Sequence, residues 1–399
     1  MTKLKINTSF MQIMLLATVI LMDILGGAEL DIIVPSFPEL KAQFGLSPFL
    51  VETLLSVNFI GYCISLFFVG SFADYYGRKP IALLGVAIFI IGTISCLWGA
   101  SYKFLLLGRL LQGIGVAAPA TICFLVVADA YSLKDQQYLM AILNGIMNIV
   151  VGLAPVIGSY ISLYFHWQGN FMALLFLALI LVAMIIFFLP NKNLARDNNI
   201  PSWRGYISIF KSKNLRLMIL CFTFLFAPYW IFLGMSSILY IESLNVSLAH
   251  FGYYQGGWAL IFAFGSIISG SIIKKFPQKI ILEISAYLCV IGLISVIYIT
   301  VIDCKNPLII ALAFLPYSIG TIIPCVILYP ICLDLMPEAK GRLTALTQAT
   351  KLILVALSLE LAGYFYQGSF RNIGIIISFV ILVAVISLFM TIRNSEIVK

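Results

Sequence analysis

Apolar runs of roughly 20 residues or more follow one another along nearly the whole 399-residue chain. Each run is long enough to cross a bilayer as an α-helix, whereas a water-soluble fold could not cover so much apolar surface. Hydrophobic residues make up 62% of the chain and charged residues only 10%, which is outside the range of soluble globular proteins. The sequence therefore predicts an all-α integral membrane protein.

The runs predict twelve transmembrane helices, six on each side of a polar stretch at residues 191–213. The predicted spans lie near residues 10–38, 48–73, 80–100, 103–130, 137–164, 169–190, 214–241, 250–273, 280–301, 307–334, 342–366 and 370–392. Because the polar stretch is the only long loop, we expect it to link a six-helix bundle at residues 1–190 to another at residues 214–399.

A short hinge sequence occurs twice, 200 positions apart. Residues 70–79 read GSFADYYGRK and residues 270–279 read GSIIKKFPQK, each between two apolar runs. A repeat at half the chain length indicates two pseudo-symmetric bundles, an arrangement typical of membrane transporters. Asp74 of the first copy corresponds to Lys274 of the second, so we expect the two halves to differ in function.

Basic residues are distributed unequally over the loops. Eighteen lie at the termini and in loops on the same side, and four lie in loops on the other side. Because basic loops stay in the cytoplasm, both termini and the linker are predicted to be cytoplasmic. The net charge of +8 forms no basic stripe or arm, so we expect no nucleic-acid partner.

The sequence shows no grouping of residues typical of an enzyme, a metal site or an ATP-driven pump. His166 and His250 lie far apart near outer loops, the eight cysteines show no CxxC spacing, and no GxxxxGK[ST] loop occurs. We therefore expect neither an enzyme nor an ATP-driven pump, and no metal or cofactor. An ion gradient is expected to supply the work.

Three acidic residues, Asp23, Glu29 and Asp31, interrupt the first apolar run. A charge at the bilayer centre costs about 2.5–3.5 kcal/mol on insertion scales, so such residues usually face a cavity or a partner. On a helix, Asp23 and Asp31 lie about 80° apart and share a face with Gly27, while Glu29 points roughly the opposite way. The sequence therefore predicts one cavity that receives Asp23 and Asp31.

Arg109 lies in the fourth run, with Gln112 and Gly113 on the same helix face. Because arginine stays charged, its burial requires an acidic or polar partner, and Asp23 and Asp31 are the predicted partners. A neighbouring guanidinium favours an ionised carboxylate, whereas desolvation favours the protonated form, so water entry can shift the balance. The cluster indicates either proton coupling or a structural ion pair that locks two helices.

Four segments of the N-terminal half carry recognisable motifs. Residues 30–38 (LDIIVPSFP) match a first-helix signature, residues 70–79 a GxxxDxxGRK loop, residues 107–113 (LGRLLQG) an arginine motif, and residues 152–159 (GLAPVIGS) a fifth-helix motif. With these motifs the chain resembles the major facilitator superfamily, specifically its twelve-helix drug:proton antiporter branch, which includes bicyclomycin- and chloramphenicol-resistance proteins. The C-terminal half supports the resemblance through residues 251–254 (FGYY) and the second hinge.

The resemblance implies roles in conformational gating. In the family the hinge loop stabilises the outward-facing state, and the fifth-helix motif seals the outer side against proton leak. The residues in these roles would be Gly70, Asp74, Gly77, Arg78, Lys79, Asp129, Gly152, Pro155 and Gly158. Asp74 is expected at the N-terminus of the eleventh helix, where the helix dipole favours an anion, and Arg78 is expected to pair with Asp129.

Candidate substrate-binding residues are aromatic, polar or charged side chains within the apolar runs. They are Glu29, Gln112, Tyr229, Trp230, Trp258, Lys351 and Glu360. Each aromatic residue could equally serve core packing, since 14% of the chain is aromatic. Glu360 lies about 180° around the helix from Lys351, so Lys351 is expected to find its partner on a neighbouring helix.

These observations favour a proton-coupled secondary transporter that exports small amphipathic drug-like compounds by alternating access. Asp23 and Asp31 would carry protons and Arg109 would modulate them, although carboxylates serve sodium coupling as well. The alternative is a transporter, in either direction, of an anionic metabolite such as a polycarboxylate siderophore, bound by Lys351 and Arg109. The resemblance implies a monomer in the bacterial inner membrane.

Overall fold

The computed structural model describes residues 9–99, 101–131, 133–191, 209, 211–336, 340–394 and 397, and no strand occurs among them. The helices are α1 (Ser9–Asp31), α2 (Phe37–Phe44), α3 (Pro48–Tyr76), α4 (Arg78–Trp98), α5 (Tyr102–Ala130), α6 (Leu133–Phe188), α7 (Lys213–Ser237), α8 (Leu248–Lys275), α9 (Gln278–Val301), α10 (Pro307–Asp334), α11 (Lys340–Phe365) and α12 (Phe370–Arg393). A 3₁₀ turn at Val34–Ser36 precedes α2, and a π-helical turn at Ile238–Ser243 follows α7.

Every predicted span coincides with a helix. The fifth and sixth spans lie within the 56-residue α6, which is broken where the backbone of His166 adopts φ 57°. Ten helical stretches of the described residues are long and apolar enough to cross a membrane, and one of them contains this break. The eighth span coincides with α8, of which only part is described at the level of side chains. The predicted all-α, twelve-span membrane fold is confirmed.

Glu39 of α2 holds the break in α6. Its Oε1 lies 2.9 Å from Nδ1 of His166, and its Oε2 accepts a hydrogen bond of 2.8 Å from the backbone N–H of Trp167. Trp167 Nε1 donates to Gln43 Oε1 at 2.5 Å. Because a helix that restarts after a break leaves backbone donors unsatisfied, this carboxylate stabilises the start of the sixth span.

The chain divides into two compact units. The first contains Met1–Phe44 and Val57–Ile200, and the second contains Gly45–Ser56 and Pro201–Lys399. Along the sequence, the main division therefore falls within the predicted linker at residues 191–213. Helix α3 belongs to both units, because its first turns group with the C-terminal half and its remainder with the N-terminal half. Hydropathy gave no signal for this division of α3.

Glycines bring neighbouring helices into backbone contact in both units. A Cβ on Gly92 of α4 would lie 2.7 Å from the carbonyl oxygen of Gly108 on α5. A Cβ on Gly292 of α9, 200 positions later, would lie 2.5 Å from the backbone nitrogen of Tyr317 on α10. Small residues allow this close approach between membrane helices. The internal repeat therefore extends from the hinge into helix packing.

Gly158 of α6 lies against the chain just after α1. A Cβ at this position would overlap the carbonyl group of Ile32. Next to this contact, Nδ2 of buried Asn170 lies 2.8 Å from Ser36 Oγ, 2.9 Å from Ser162 Oγ and 3.2 Å from the Gly158 carbonyl oxygen. The close approach and these hydrogen bonds fix the end of α1 against both parts of α6.

The substitution Gly158→Ala tests this contact. Because the new methyl group would overlap the Ile32 carbonyl, α6 must shift, and we expect the free energy of unfolding to fall by about 1–3 kcal/mol. Gly145→Ala in the same helix is the matched control, since a Cβ there meets no atom within 4 Å. The measurement is the thermal unfolding midpoint of each purified variant in detergent, and equal midpoints would contradict the contact.

Candidate functional site

A buried ion pair joins α1 to α5 in the first unit. Arg109 Nη1 lies 3.1 Å from Glu29 Oε2, and each side chain is only 1% exposed. Arg109 Nη1 also donates to Gln112 Oε1 at 2.8 Å, and Gln112 Nε2 donates to Thr93 Oγ1 of α4 at 2.9 Å. Asn58 Nδ2 of α3 lies 3.2 Å from both Glu29 Oε2 and the Arg109 carbonyl oxygen. Four helices therefore contribute to one polar network.

The predicted partners of Arg109 were wrong, because its ion-pair partner is Glu29 and not Asp23 or Asp31. The reason is that neighbouring helices cover both faces of α1. A Cβ on Gly26, one turn before Glu29, would lie 3.1 Å from Ala120 of α5. On the adjacent face, a Cβ on Gly27 would lie 2.5 Å from Met147 Sδ of α6.

Asp23 and Asp31 are buried carboxyl groups, 2% and 1% exposed. Both carboxyl oxygens of Asp31 and Oδ2 of Asp23 have no hydrogen-bond partner among the described residues. A buried carboxylate without a partner is far more stable as the neutral acid. The site therefore combines one compensated ion pair with two carboxyl groups that can hold a proton.

The hinge residues of the first unit are tied to neighbouring helices. Arg78 Nε lies 3.0 Å from Asp129 Oδ2, so the predicted pairing is observed. Lys79 Nζ donates to the Ile186 carbonyl oxygen at 2.6 Å. Gly77, the residue before α4, has φ 97°, a conformation that favours glycine.

Other predicted gating residues are less informative. A Cβ on Gly70 would meet no atom within 4 Å, and Asp74 lies in α3 with its side chain outside the described part of the chain. Gly152 and Pro155 are buried within α6. Their part in gating, like that of Gly158, stays a prediction.

Aromatic side chains of α7, α8 and α10 form a cluster in the second unit. The ring of Trp258 stacks on that of Tyr229, with 6.2 Å between the ring centres, and its centre lies 5.4 Å from that of Phe314. The ring centres of Tyr229 and Trp230 are 5.8 Å apart. The cavity beside them measures about 10 Å³, which is room for about one water molecule. Trp258 Nε1 and Gln255 Oε1 are buried at this cavity without a hydrogen-bond partner among the described residues. A larger ligand would need this cluster to open.

Lys351 and Glu360 of α11 lie apart, as their spacing predicts. Lys351 Nζ donates to Gln348 Oε1 at 3.2 Å and lies 4.8 Å from the centre of the Phe226 ring on α7. Lys351 was expected to find its partner on a neighbouring helix. The Phe226 ring fits this expectation, but the hydrogen-bond acceptor, Gln348, lies one turn away on α11 itself. Glu360 Oε2 accepts a hydrogen bond of 3.0 Å from Thr53 Oγ1.

Sequence reasoning missed several buried polar residues. Asn58 and Thr93 support the ion pair, Gln255 lines the aromatic cavity, and Glu52 is a fourth fully buried acidic residue. Each interrupts an apolar run, which is the same signal that identified Asp23 and Arg109. Glu52 lies only a few residues into the second run, where an acidic residue resembles an ordinary helix start.

Neutralising one acidic residue of α1 at a time distinguishes the counter-ion of Arg109 from the carboxyl group without a partner. Glu29→Gln leaves the Arg109 charge buried without its counter-ion, so we expect the free energy of unfolding to fall by about 3–5 kcal/mol. Asp31→Asn breaks no hydrogen bond observed among the described residues, and we expect a change within about 1 kcal/mol. Thermal unfolding midpoints in detergent measure both. A larger loss for Asp31→Asn would identify Asp31 as the counter-ion.

Three known proteins are similar to this chain in sequence. It is 28% identical over 264 residues to a bicyclomycin resistance protein homolog of Haemophilus influenzae, covering 64% of this chain and 65% of that protein. It is 26% identical over 290 residues to an uncharacterized transporter of Rickettsia felis, covering 71% and 72%. It is 26% identical over 250 residues to the multidrug resistance protein MdtL of Escherichia coli, covering 63% and 62%. The match thus spans less than two thirds of the Haemophilus and Escherichia proteins.

Solved structures share the fold. A D-xylose-proton symporter superimposes with a TM-score of 0.73 at 14% identity, over 97% of this chain and 98% of that one. A bacterial homolog of the human lysosomal transporter Spinster superimposes with a TM-score of 0.75 at 13% identity, over 98% of both chains. The family model of the Major Facilitator Superfamily matches residues 19–359. The chain is a multi-pass membrane protein that belongs to the Major Facilitator Superfamily.

Proposed function

We propose that the protein is a proton-coupled secondary transporter that exports small amphipathic drug-like compounds by alternating access. The observation that carries this proposal is the presence of buried, incompletely partnered carboxyl groups, Asp23 and Asp31, on the helix whose Glu29 compensates Arg109. The names of the Haemophilus and Escherichia relatives, which refer to bicyclomycin and multidrug resistance, support export of such compounds.

Proton coupling follows from the different environments of the three acids. Glu29 stays ionised because Arg109 is beside it and Asn58 donates to it. Asp31 holds a proton while its surroundings are dry, and it releases the proton when water or a cationic compound reaches it. Each cycle would then exchange protons moving inward for a compound moving outward. Asp23, two turns earlier on α1, would act as a second carrier.

Aromatic side chains of the second unit would provide the apolar part of the binding site. Tyr229, Trp230 and Trp258 offer ring faces to amphipathic compounds. The buried polar atoms of Trp258 and Gln255 would hydrogen-bond to a bound compound. Because the cavity now holds about one water molecule, binding requires the rings to separate.

The proposal extends to cellular context. The excess of basic residues on one side supports cytoplasmic termini in a bacterial inner membrane. We propose that the protein works as a monomer, as a transporter and not an enzyme. The proton gradient would drive it without a cofactor.

One observation favours the alternative, transport of an anionic metabolite. Lys351 has a neutral hydrogen-bond partner and an aromatic ring beside it, so its positive charge could attract an anion. The second cation that this alternative requires is Arg109, whose charge Glu29 already compensates. Drug export therefore remains the better supported function.

Transport in proteoliposomes tests the proposal. Purified protein is reconstituted, a pH gradient is imposed, and the movement of ethidium, chloramphenicol and citrate is followed as cationic, neutral and polycarboxylate probes. We expect the gradient to drive ethidium or chloramphenicol. Asp31→Asn should abolish gradient-driven movement because an amide carries no exchangeable proton of this kind, while exchange of the probe without a gradient should persist.

Glu283→Gln on α9 is the matched control, because it also removes one acidic charge from a helix but leaves the predicted carriers intact. Gradient-driven movement that survives in the Asp23→Asn and Asp31→Asn double variant would refute the carriers. Movement of citrate alone would support the metabolite alternative.

A further inference from the structure

A second buried acidic site lies in the second unit, outside the network of Arg109. Glu52, in the second turn of α3, is 0% exposed, and neither of its carboxyl oxygens has a hydrogen-bond partner in the described part of the chain. Glu360 of α11 is half-buried and acts on Glu52 electrostatically. The first turns of α3 and the whole of α11 belong to the same compact unit.

Packing fixes both carboxyl groups in place. Glu52 Oε2 lies against α7, where a Cβ on Gly234 would be 2.8 Å from this oxygen. The same hypothetical Cβ would lie 2.5 Å from Leu359 of α11, so Glu52 is enclosed by α7 and α11. Thr53 Oγ1 donates to Glu360 Oε2 at 3.0 Å and holds the second carboxyl group close to the start of α3. Glycine at position 234 leaves the space that Glu52 occupies.

Charge balance requires a cation at this site. Neither Glu52 nor Glu360 forms an ion pair with a described lysine, arginine or histidine. Glu360 is the one titratable group of the described residues that acts electrostatically on Glu52, while Gly234 faces it from α7. Two ionised carboxylates without a counter-ion would pay the desolvation cost of both charges and repel each other. A single bound proton removes most of this cost.

We propose that Glu52 and Glu360 form a proton-binding site, in which Glu52 carries the proton and Glu360, hydrogen-bonded to Thr53, is its half-buried neighbour. Binding forms one O–H bond on Glu52 and breaks one O–H bond of a hydronium ion, which leaves as water. This site goes beyond the proposed function, because it uses none of the residues around Arg109 and holds its proton without a transported compound.

Loss of the proton has a structural consequence in the same unit. The start of α3 packs closely on α11, since a Cβ on Gly363 would lie 2.8 Å from the Cα of Phe49. Two negative charges near this contact would repel each other and weaken it. We therefore expect residues 48–56 to exchange their backbone amide hydrogens faster when Glu52 is ionised.

Infrared difference spectroscopy of the full-length protein in liposomes tests the site. The probe is the proton alone: spectra are recorded from acidic to alkaline pH, in potassium and in sodium buffers, without any transported compound. We expect C=O stretching bands of protonated carboxylic acids at neutral pH. One component should be lost in Glu52→Gln and should persist in both Asp31→Asn and Glu283→Gln. Glu360→Gln should shift the band, because it removes the neighbouring charge.

Two further measurements distinguish this site from a folding defect and from the transport proposal. The unfolding midpoint of each variant is measured first and should be unchanged. If Glu52→Gln is unstable, the test becomes whether Glu360→Gln shifts the infrared band. Relative to the intrinsic, base-catalysed exchange rate, the protection of the amides of residues 48–56 should fall at alkaline pH in the unmodified protein but not in Glu52→Gln. A spectrum that is unchanged in the folded variants would overturn the proposal. So would a band that sodium removes at constant pH, since the site would then bind sodium.

Discussion

The buried ion pair between Glu29 and Arg109 is the interaction on which the first unit depends. Both charges are almost fully removed from solvent, and an arginine cannot escape the cost of burial by losing its proton. Asn58 donates a hydrogen bond to Glu29, Arg109 donates one to Gln112, and Gln112 donates one to Thr93. Because these residues lie on α1, α3, α4 and α5, compensation of one charge fixes the relative positions of four helices.

The pairing of Glu29 with Arg109 also determines which acidic residues remain without a counter-ion. Glu29 is paired with Arg109, whereas neither carboxyl oxygen of Asp31 has a hydrogen-bond partner among the described residues. The second unit contains a comparable contrast, because Glu360 is hydrogen-bonded to Thr53 while Glu52 is not hydrogen-bonded by any described residue. Each unit therefore holds at least one buried carboxyl group without a hydrogen-bond partner among the described residues.

The sequence was sufficient for features that depend on local pattern. Run length predicted the helices, and the family resemblance implied the contact between Arg78 and Asp129. The partner of Arg109 could not be predicted in this way, because helical periodicity gives the angle between Asp23 and Glu29 but not which neighbouring helix covers each face. Packing at Gly26 and Gly27 decides that question. The buried position of Glu52 likewise follows from contacts with α7 and α11, which no pattern within α3 encodes.

The most direct test is a pair of double-mutant cycles measured by equilibrium unfolding in detergent. One combines Glu29→Gln with Arg109→Gln, and the other combines Asp31→Asn with Arg109→Gln. We predict a coupling free energy of at least about 1 kcal/mol between Glu29 and Arg109, and one within about 0.5 kcal/mol of zero between Asp31 and Arg109. Equal couplings, or a stronger coupling to Asp31, would contradict the separation of the compensated charge from the proton carriers.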